Sequence, residues 1–242
     1  MARNRHNLNA PLEELLERAR SCFGEVVFER VELSGGPLDI LQIKDMPAYI
    51  DKLLAKSGAG GKVELPLWAR VWPTNIALSL FLEKCPFPDG AQFLEIGAGI
   101  GLAGLTLARR GFTVTISDLE PDALLFCRIN ALRNGLGDQV RIEQVDFTKD
   151  RLERRFQAVI GCEILFREVF FAPLAAFVAA HLDDRPDAEV ILGSDGLREG
   201  RGFFQLIQSD YDMMRKDVPY TDTESGERKN ACLYRLRRKA GA

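Results

Sequence analysis

Between Phe93 and Gly111 the chain reads FLEIGAGIGLAGLTLARRG: a short apolar run, glycines at 97, 99, 101 and 104, then a helical pattern closed by Gly111. No other stretch restricts the fold as strongly. A strand has to turn into a helix within a few residues, over a loop where side chains would be in the way. A tight turn with close helix packing needs one or two glycines. Four in eight residues ask for backbone that a ligand can approach.

Downstream of the loop, short apolar runs alternate with helical patterns. TVTISD reads as the next strand, Pro121 opens the helix DALLFCRINALRN, and Gly135 closes it. RIEQVDF, FQAVIGC and AEVILGSD are three further strands. Phe93–Ile96, Ala158–Gly161 and Val190–Leu192 are apolar on both faces, as a parallel sheet covered by helices on each side requires. The expected fold is α/β, a doubly wound, mostly parallel Rossmann-like sheet. It should end in a helix around Gly202 to Gln208 and an antiparallel hairpin about the turn Glu224–Glu227.

The first part of the chain reads differently. A helix is expected over Pro11 to Cys22, then a hairpin from EVVFERVEL and LDILQI about the turn SGGP. A short helix follows near Pro47 to Ala55, and SGAGG at Ser57–Gly61 reads as a flexible joint. The organisation expected is an N-terminal helix and hairpin extension over residues 1–64 and a main domain over 65–242.

Composition narrows the function classes. A net charge of −3 implies no general attraction to nucleic acid or anionic membrane. The one basic cluster, Arg235, Arg237, Arg238 and Lys239, alternates like a solvated edge strand. Five scattered cysteines without a CxxC pair argue for a reducing compartment and against disulfides and zinc. With only His6 and His181, histidine-based metal sites and Ser-His-Asp triads are poorly supplied. MARNRHNLNAP lacks the apolar stretch of a signal peptide, and Val169 to Leu182 is too short to span a bilayer. The chain reads as a soluble cytoplasmic protein.

The loop satisfies two patterns. From Gly99 it is G-x-G-x-x-G, the dinucleotide fingerprint; from Glu95 it is E-x-G-x-G-x-G, the loop of methyl-donor enzymes. Three features favour methyl. Glu95, at the carboxyl edge of its strand, suits a cationic amino group and repels a pyrophosphate. The loop comes some ninety residues in, whereas a dinucleotide fingerprint more often opens its domain. Finally, Asp118 ends the next strand at the distance expected for ribose hydroxyls, and Asp146 ends the one after, placed for an adenine amino group or as a helix cap.

At these residues the chain resembles the seven-strand S-adenosylmethionine-dependent methyltransferases. Within them it looks closest to protein lysine methyltransferases of non-histone proteins, including bacterial relatives of the enzyme acting on the electron-transfer flavoprotein β subunit. The resemblance is carried by LPLWARVWPTNIALSLFL (Leu65–Leu82), LEIGAGIGLAG, SDLEPDAL with Asn130 and Asn134 downstream, and GCEILF. It implies S-adenosylmethionine as cofactor, with Trp72 near its methionine end. Glu95, Gly97, Gly99 and Gly101 would hold the amino acid and ribose, Asp118 the ribose hydroxyls, Leu119 the adenine face, and Asp146 and Phe147 the adenine edge. Cys162 and Glu163 would face the sulfonium and the incoming nucleophile, Glu163 as the catalytic group. The family's D-x-x-Y is E-x-x-F here, Glu163 to Phe166.

The sequence leaves the acceptor between a protein lysine, which it favours, and a small molecule taking an N- or O-methyl group. A non-catalytic S-adenosylmethionine-binding protein is the further alternative. A nucleic-acid acceptor is disfavoured, because no N-P-P-Y or D-P-P-Y run follows the fourth strand. Oligomeric state is not legible.

Overall fold

Apolar strands on both sides of the glycine loop assemble into one seven-stranded sheet. We describe residues 5–57, 65–196, 200–222 and 225–241 of a computed structural model. In chain order the elements are α1 (Leu12–Phe23), β1 (Val26–Val31), β2 (Leu38–Ile43), α2 (Met46–Ser57), α3 (Pro73–Leu82), β3 (Gln92–Ile96), α4 (Leu102–Arg109), β4 (Thr113–Asp118), α5 (Pro121–Arg133) and β5 (Val140–Gln144). There follow β6 (Ala158–Cys162), α6 (Phe171–His181), β7 (Glu189–Asp195), α7 (Arg201–Ile207), β8 (Tyr211–Thr221) and β9 (Arg228–Arg238). The large sheet runs β5-β4-β3-β6-β7-β9-β8, and its first five strands are parallel. β9 pairs antiparallel with both β7 and β8, which makes the expected C-terminal hairpin. The expected joint beyond Ser57 and residue 224 of the expected turn lie outside the described residues.

The strand order reverses between β3 and β6, and there the carboxyl ends of β3, β4 and β6 share one rim of the sheet. β3 and β6 are buried along nearly their whole lengths, as apolar sequence on both faces demands. Gly111 and Gly135 take φ +89° and +70° just past α4 and α5, the left-handed stop that glycine tolerates.

The first elements pack on the outside of α5. α1 buries Leu15, Leu16, Ala19 and Phe23, which belong to the same hydrophobic cluster as Phe93, Leu105 and Phe126 of the sheet region. The β1–β2 hairpin is held by Asn130 of α5 and by Asn134, the residue that caps its end. Asn130 Oδ1 accepts the Leu41 N–H (2.8 Å) while its Nδ2 donates to the Ile100 carbonyl (3.0 Å), so one fully buried side chain ties the hairpin to the glycine loop. Asn134 repeats the arrangement one turn on, accepting from the Asp39 N–H (2.9 Å) and donating to its carbonyl (2.8 Å). Replacing Asn130 with Ala should cost roughly 2–4 kcal/mol in urea unfolding, since it strands a buried donor and a buried acceptor. The Leu41 amide should then exchange hydrogen faster.

The basic tail corrects one expectation. Arg235 and Arg237 lie on β9, which is flanked on both sides, and not on a solvated edge. Arg235 sets two guanidinium nitrogens on Glu189 (2.8 and 2.7 Å) and Arg237 adds a third contact (3.2 Å). Glu189 is only 1% exposed, so its charge requires these partners. Alternation alone cannot tell a water-facing arginine from one paired across the sheet.

Candidate cofactor and acceptor site

The glycine loop opens at the end of β3, and Gly97, Gly99 and Gly101 stand at φ +58°, +57° and +78°. Their reason is internal before it is ligand-related. A Cβ on Gly99 would lie 2.9 Å from the carbonyl oxygen of Trp68, and one on Gly97 would lie 2.8 Å from the Ile164 side chain. A Cβ on Gly104, inside α4, would meet Glu95 Oε2 at 2.5 Å and Ile116 at 2.7 Å. The short 3-10 turn Leu67–Ala69 therefore lies across the loop. Its tryptophan is wedged edge-on against Phe126 and Phe23 at ring distances of 5.1 and 5.7 Å. Sequence reasoning missed this use of Trp68; its signal was only the residue's spacing four before Trp72.

The acids of the rim are arranged in order. Asp118 ends β4, buried, with Oδ2 accepting the Gly99 N–H (2.8 Å) and Oδ1 the Glu120 N–H (2.9 Å). It thus braces the loop, and burial raises its carboxyl above the ordinary range despite those amides. Glu95 is deeper, 1% exposed, with Oε2 accepting the Gly104 N–H (2.8 Å) at the start of α4. Burial pushes this carboxyl up to about 8, against the pull of the Gly104 and Ala103 amides, and the neighbouring Asp118 adds to the rise. Because the folded state holds the proton more tightly than the unfolded chain, this contribution to stability is complete below the ordinary carboxyl pKa and lost as pH rises through about 8. Glu95→Gln should therefore lose less stability than the native protein between about pH 6 and about pH 9, read as urea midpoints.

Asp146, the third acid, follows β5 in the arrangement of a turn cap. Its carboxylate accepts the Thr148 N–H (3.0 Å) and hydroxyl, and Lys149 Nζ stands 3.1 Å away. No helix starts here among the described residues, so the carboxylate closes a turn and does not cap a helix. Phe147 is half-buried and stacks edge-on with Phe170 and Phe177 at 5.9 and 6.4 Å. Leu119 beside Asp118 is 47% exposed, an apolar side chain left open at the rim. Trp72 is half-buried under the Arg70 guanidinium (5.0 Å), and its Nε1 donates to the Leu67 carbonyl (2.9 Å).

The end of β6 is the least ordinary piece of backbone. Among the described residues, Glu163 is the one non-glycine with positive φ, at +57°. Such a conformation costs roughly 1–2 kcal/mol. Its local origin is visible in the run G-C-E-I. Ile164 folds back into space left by two glycines, since a Cβ on Gly161 would touch it at 2.5 Å and one on Gly97 at 2.8 Å. The chain therefore reverses at Glu163, whose N–H still donates to the Gly193 carbonyl (2.8 Å) and extends the ladder by one step. Cys162, one residue earlier, is 9% exposed, and burial raises its thiol well above the ordinary value, so it packs as a small apolar residue. Phe166 is 54% exposed, in contact with Phe170 at 5.7 Å.

These residues fit S-adenosylmethionine. Gly97 is exposed and Gly99 half-exposed, with Leu119 open beside them, so a nucleoside can lie across loop backbone and an apolar side chain. Each oxygen of Asp118 spends one lone pair on an amide and retains another for a ribose hydroxyl.

A doubly wound sheet with this loop and this antiparallel hairpin is the architecture of class I methyltransferases. The family model described as lysine methyltransferase matches residues 66–210, more than half of the chain. The chain belongs to that family, with S-adenosylmethionine as its cofactor. Among curated relatives, the release factor glutamine methyltransferase of Clostridium acetobutylicum is 29% identical over 56% of this chain and 47% of its own length. The protein N-lysine methyltransferase METTL21A of Danio rerio is 31% identical over 44% of this chain and 51% of its own. The chain thus spans about half the length of these relatives. Among solved structures, the glycopeptide N-methyltransferase MtfA complexed with S-adenosyl-L-homocysteine superposes with a TM-score of 0.55 at 18% identity, covering 78% of this chain and 97% of its own. Among the described residues, no helix is long and apolar enough to cross a membrane.

Proposed function

We propose that the protein transfers a methyl group from S-adenosylmethionine to the side-chain nitrogen of a lysine in a protein substrate. The observation that carries this reading is the strained backbone of Glu163, an acidic residue at the reversal after β6, where Ile164 reaches back to Gly97 of the glycine loop. Backbone strain of this kind persists where surrounding structure fixes it, and it clusters at functional sites. The family match and the likeness to METTL21A support lysine as the acceptor.

The bound cofactor supplies a methyl group already activated on a sulfonium, so the chain has only to align and to tune charge. Asp118 holds the ribose hydroxyls, Leu119 and Phe147 flank the adenine, and Asp146 borders its amino edge. The loop amides and Glu95 face the amino acid portion, and Trp72 closes the methionine end. Cys162 packs beneath the reacting centre. An acceptor lysine, with an unperturbed pKa of about 10.4, has to arrive uncharged. Partial burial and a neighbouring positive charge both favour that form. Glu163 accepts a hydrogen bond from the amine, points its lone pair at the methyl group, and passes the departing proton to water.

The test is labelled donor incubated with the purified protein and a cell extract. Label that appears on a protein band, and on lysine after hydrolysis, is the expected result. Label confined to small molecules, or to another residue type, contradicts the reading.

A further inference from the structure

The free edge of the large sheet carries an inference independent of the methyl-transfer reading. β8 is eleven residues long, and among the described residues no strand covers its outer side. The direction of its peptide groups is fixed at both ends. Lys239 N–H donates to the Asp210 carbonyl (2.9 Å) and Asp222 N–H to the Glu227 carbonyl (2.9 Å), in line with the pairing of Tyr211 with Arg238 and Thr221 with Arg228. Even-numbered residues therefore turn their peptide groups to β9, and odd-numbered ones turn outward. Pro219, without an N–H, falls in the outward row and costs β9 no hydrogen bond. Tyr211, Met213, Arg215, Asp217 and Thr221 are left with outward donors and acceptors.

We propose that this edge pairs, antiparallel, with the same edge of a second copy of the chain, about a two-fold axis at Met214. The charges select that register. Outward residues have to face outward residues, so the axis passes through a residue and not between two. Axes at Asp212, Arg215, Lys216 or Asp217 would set a charge against itself. One at Met213 would leave Asp212 facing a methionine and give Lys216 a counter-charge only at Asp210, outside the strand. The axis at Met214 sets Asp212 against the partner's Lys216, twice by symmetry. The four outward N–H groups from Tyr211 to Asp217 find carbonyls, about eight ladder hydrogen bonds in all, while Thr221 lies beyond the paired stretch. On the same sheet face Glu189 already contacts Arg237, and Arg237 stands opposite Asp212, so the partner's Lys216 continues an alternating row of charge. Met213 and Met214, 49% and 64% exposed, lie at the centre of the seam.

The oligomeric state of the full chain, measured by light scattering and sedimentation, tests this. The expected mass is twice the 27.0 kDa of one chain. Lys216→Asp should weaken association about 10-fold or more, and the swap Asp212→Lys with Lys216→Asp should recover only part of it, because the new lysine lies opposite Arg237. Met213→Pro removes only an outward N–H, as nature does at 219, and should abolish the dimer. All variants should bind S-adenosylhomocysteine like the native chain, which shows that they fold. A monomer at every concentration overturns the proposal, and so does a dimer that neither Lys216→Asp nor Met213→Pro affects.

Discussion

Replacing Glu163 with Ala is expected to lower the methyl-transfer rate by roughly 10²–10⁴-fold while leaving affinity for S-adenosylhomocysteine within about threefold of native. The reasoning joins position to backbone. Glu163 directly follows β6, where Ile164 reaches back to Gly97 of the loop, so in the proposed role its loss would remove alignment of the incoming amine but no support of the nucleoside. Glu163→Gly separates strain from chemistry. At φ +57° glycine is unstrained, so this variant should be more stable than Glu163→Ala by about 1 kcal/mol, yet equally slow. Melting curves and turnover of the two variants side by side check both halves. Equal stability would remove the strain argument, and a fully active Ala variant would remove Glu163 from the reaction.

Gly99→Val should fail at the other end of the site. The native residue has φ +57°, and a Cβ there meets the Trp68 carbonyl at 2.9 Å. Trp68 cannot retreat freely, because its ring is held by Phe23 and Phe126. The Gly99 N–H is also the donor that Asp118 Oδ2 accepts, so a shifted loop loosens the acid proposed to hold the ribose. The expected cost is roughly 2–4 kcal/mol of stability and about 10²-fold or more in donor affinity, by urea melts and calorimetry. Gly111→Ala makes a useful control: it is strained at φ +89°, but nothing lies near its Cβ, so stability should fall while donor affinity holds.

Most of the fold could be read along the chain, because its determinants are local. Doubly apolar runs make parallel strands, Pro121 starts a helix and Gly111 stops one, and the acids at 95, 118 and 146 mark strand ends. What stayed hidden depends on residues far apart in sequence. Glu163 takes its conformation from Ile164 filling space beside Gly97 and Gly161, a contact that no periodicity announces. Arg235 and Arg237 looked like solvent-facing charge, and only the pairing of β9 with β7 shows them closing on Glu189. Asn130 and Asn134 mark the family resemblance, but their task of binding a hairpin to α5 and to the loop needs the folded arrangement. The glycines have a second explanation beside the ligand approach that the sequence suggested: they make room for Trp68, Ile164 and Glu95.

Calorimetric titration with S-adenosylhomocysteine of the native chain and of Asp118→Asn addresses the central claim, a nucleoside held at the β3–β4 rim. The native chain should bind one equivalent, and the variant, whose amide replaces one acceptor oxygen, should bind about 10–100-fold more weakly. Absence of binding by the folded native chain, or equal affinity in the two proteins, would contradict the account.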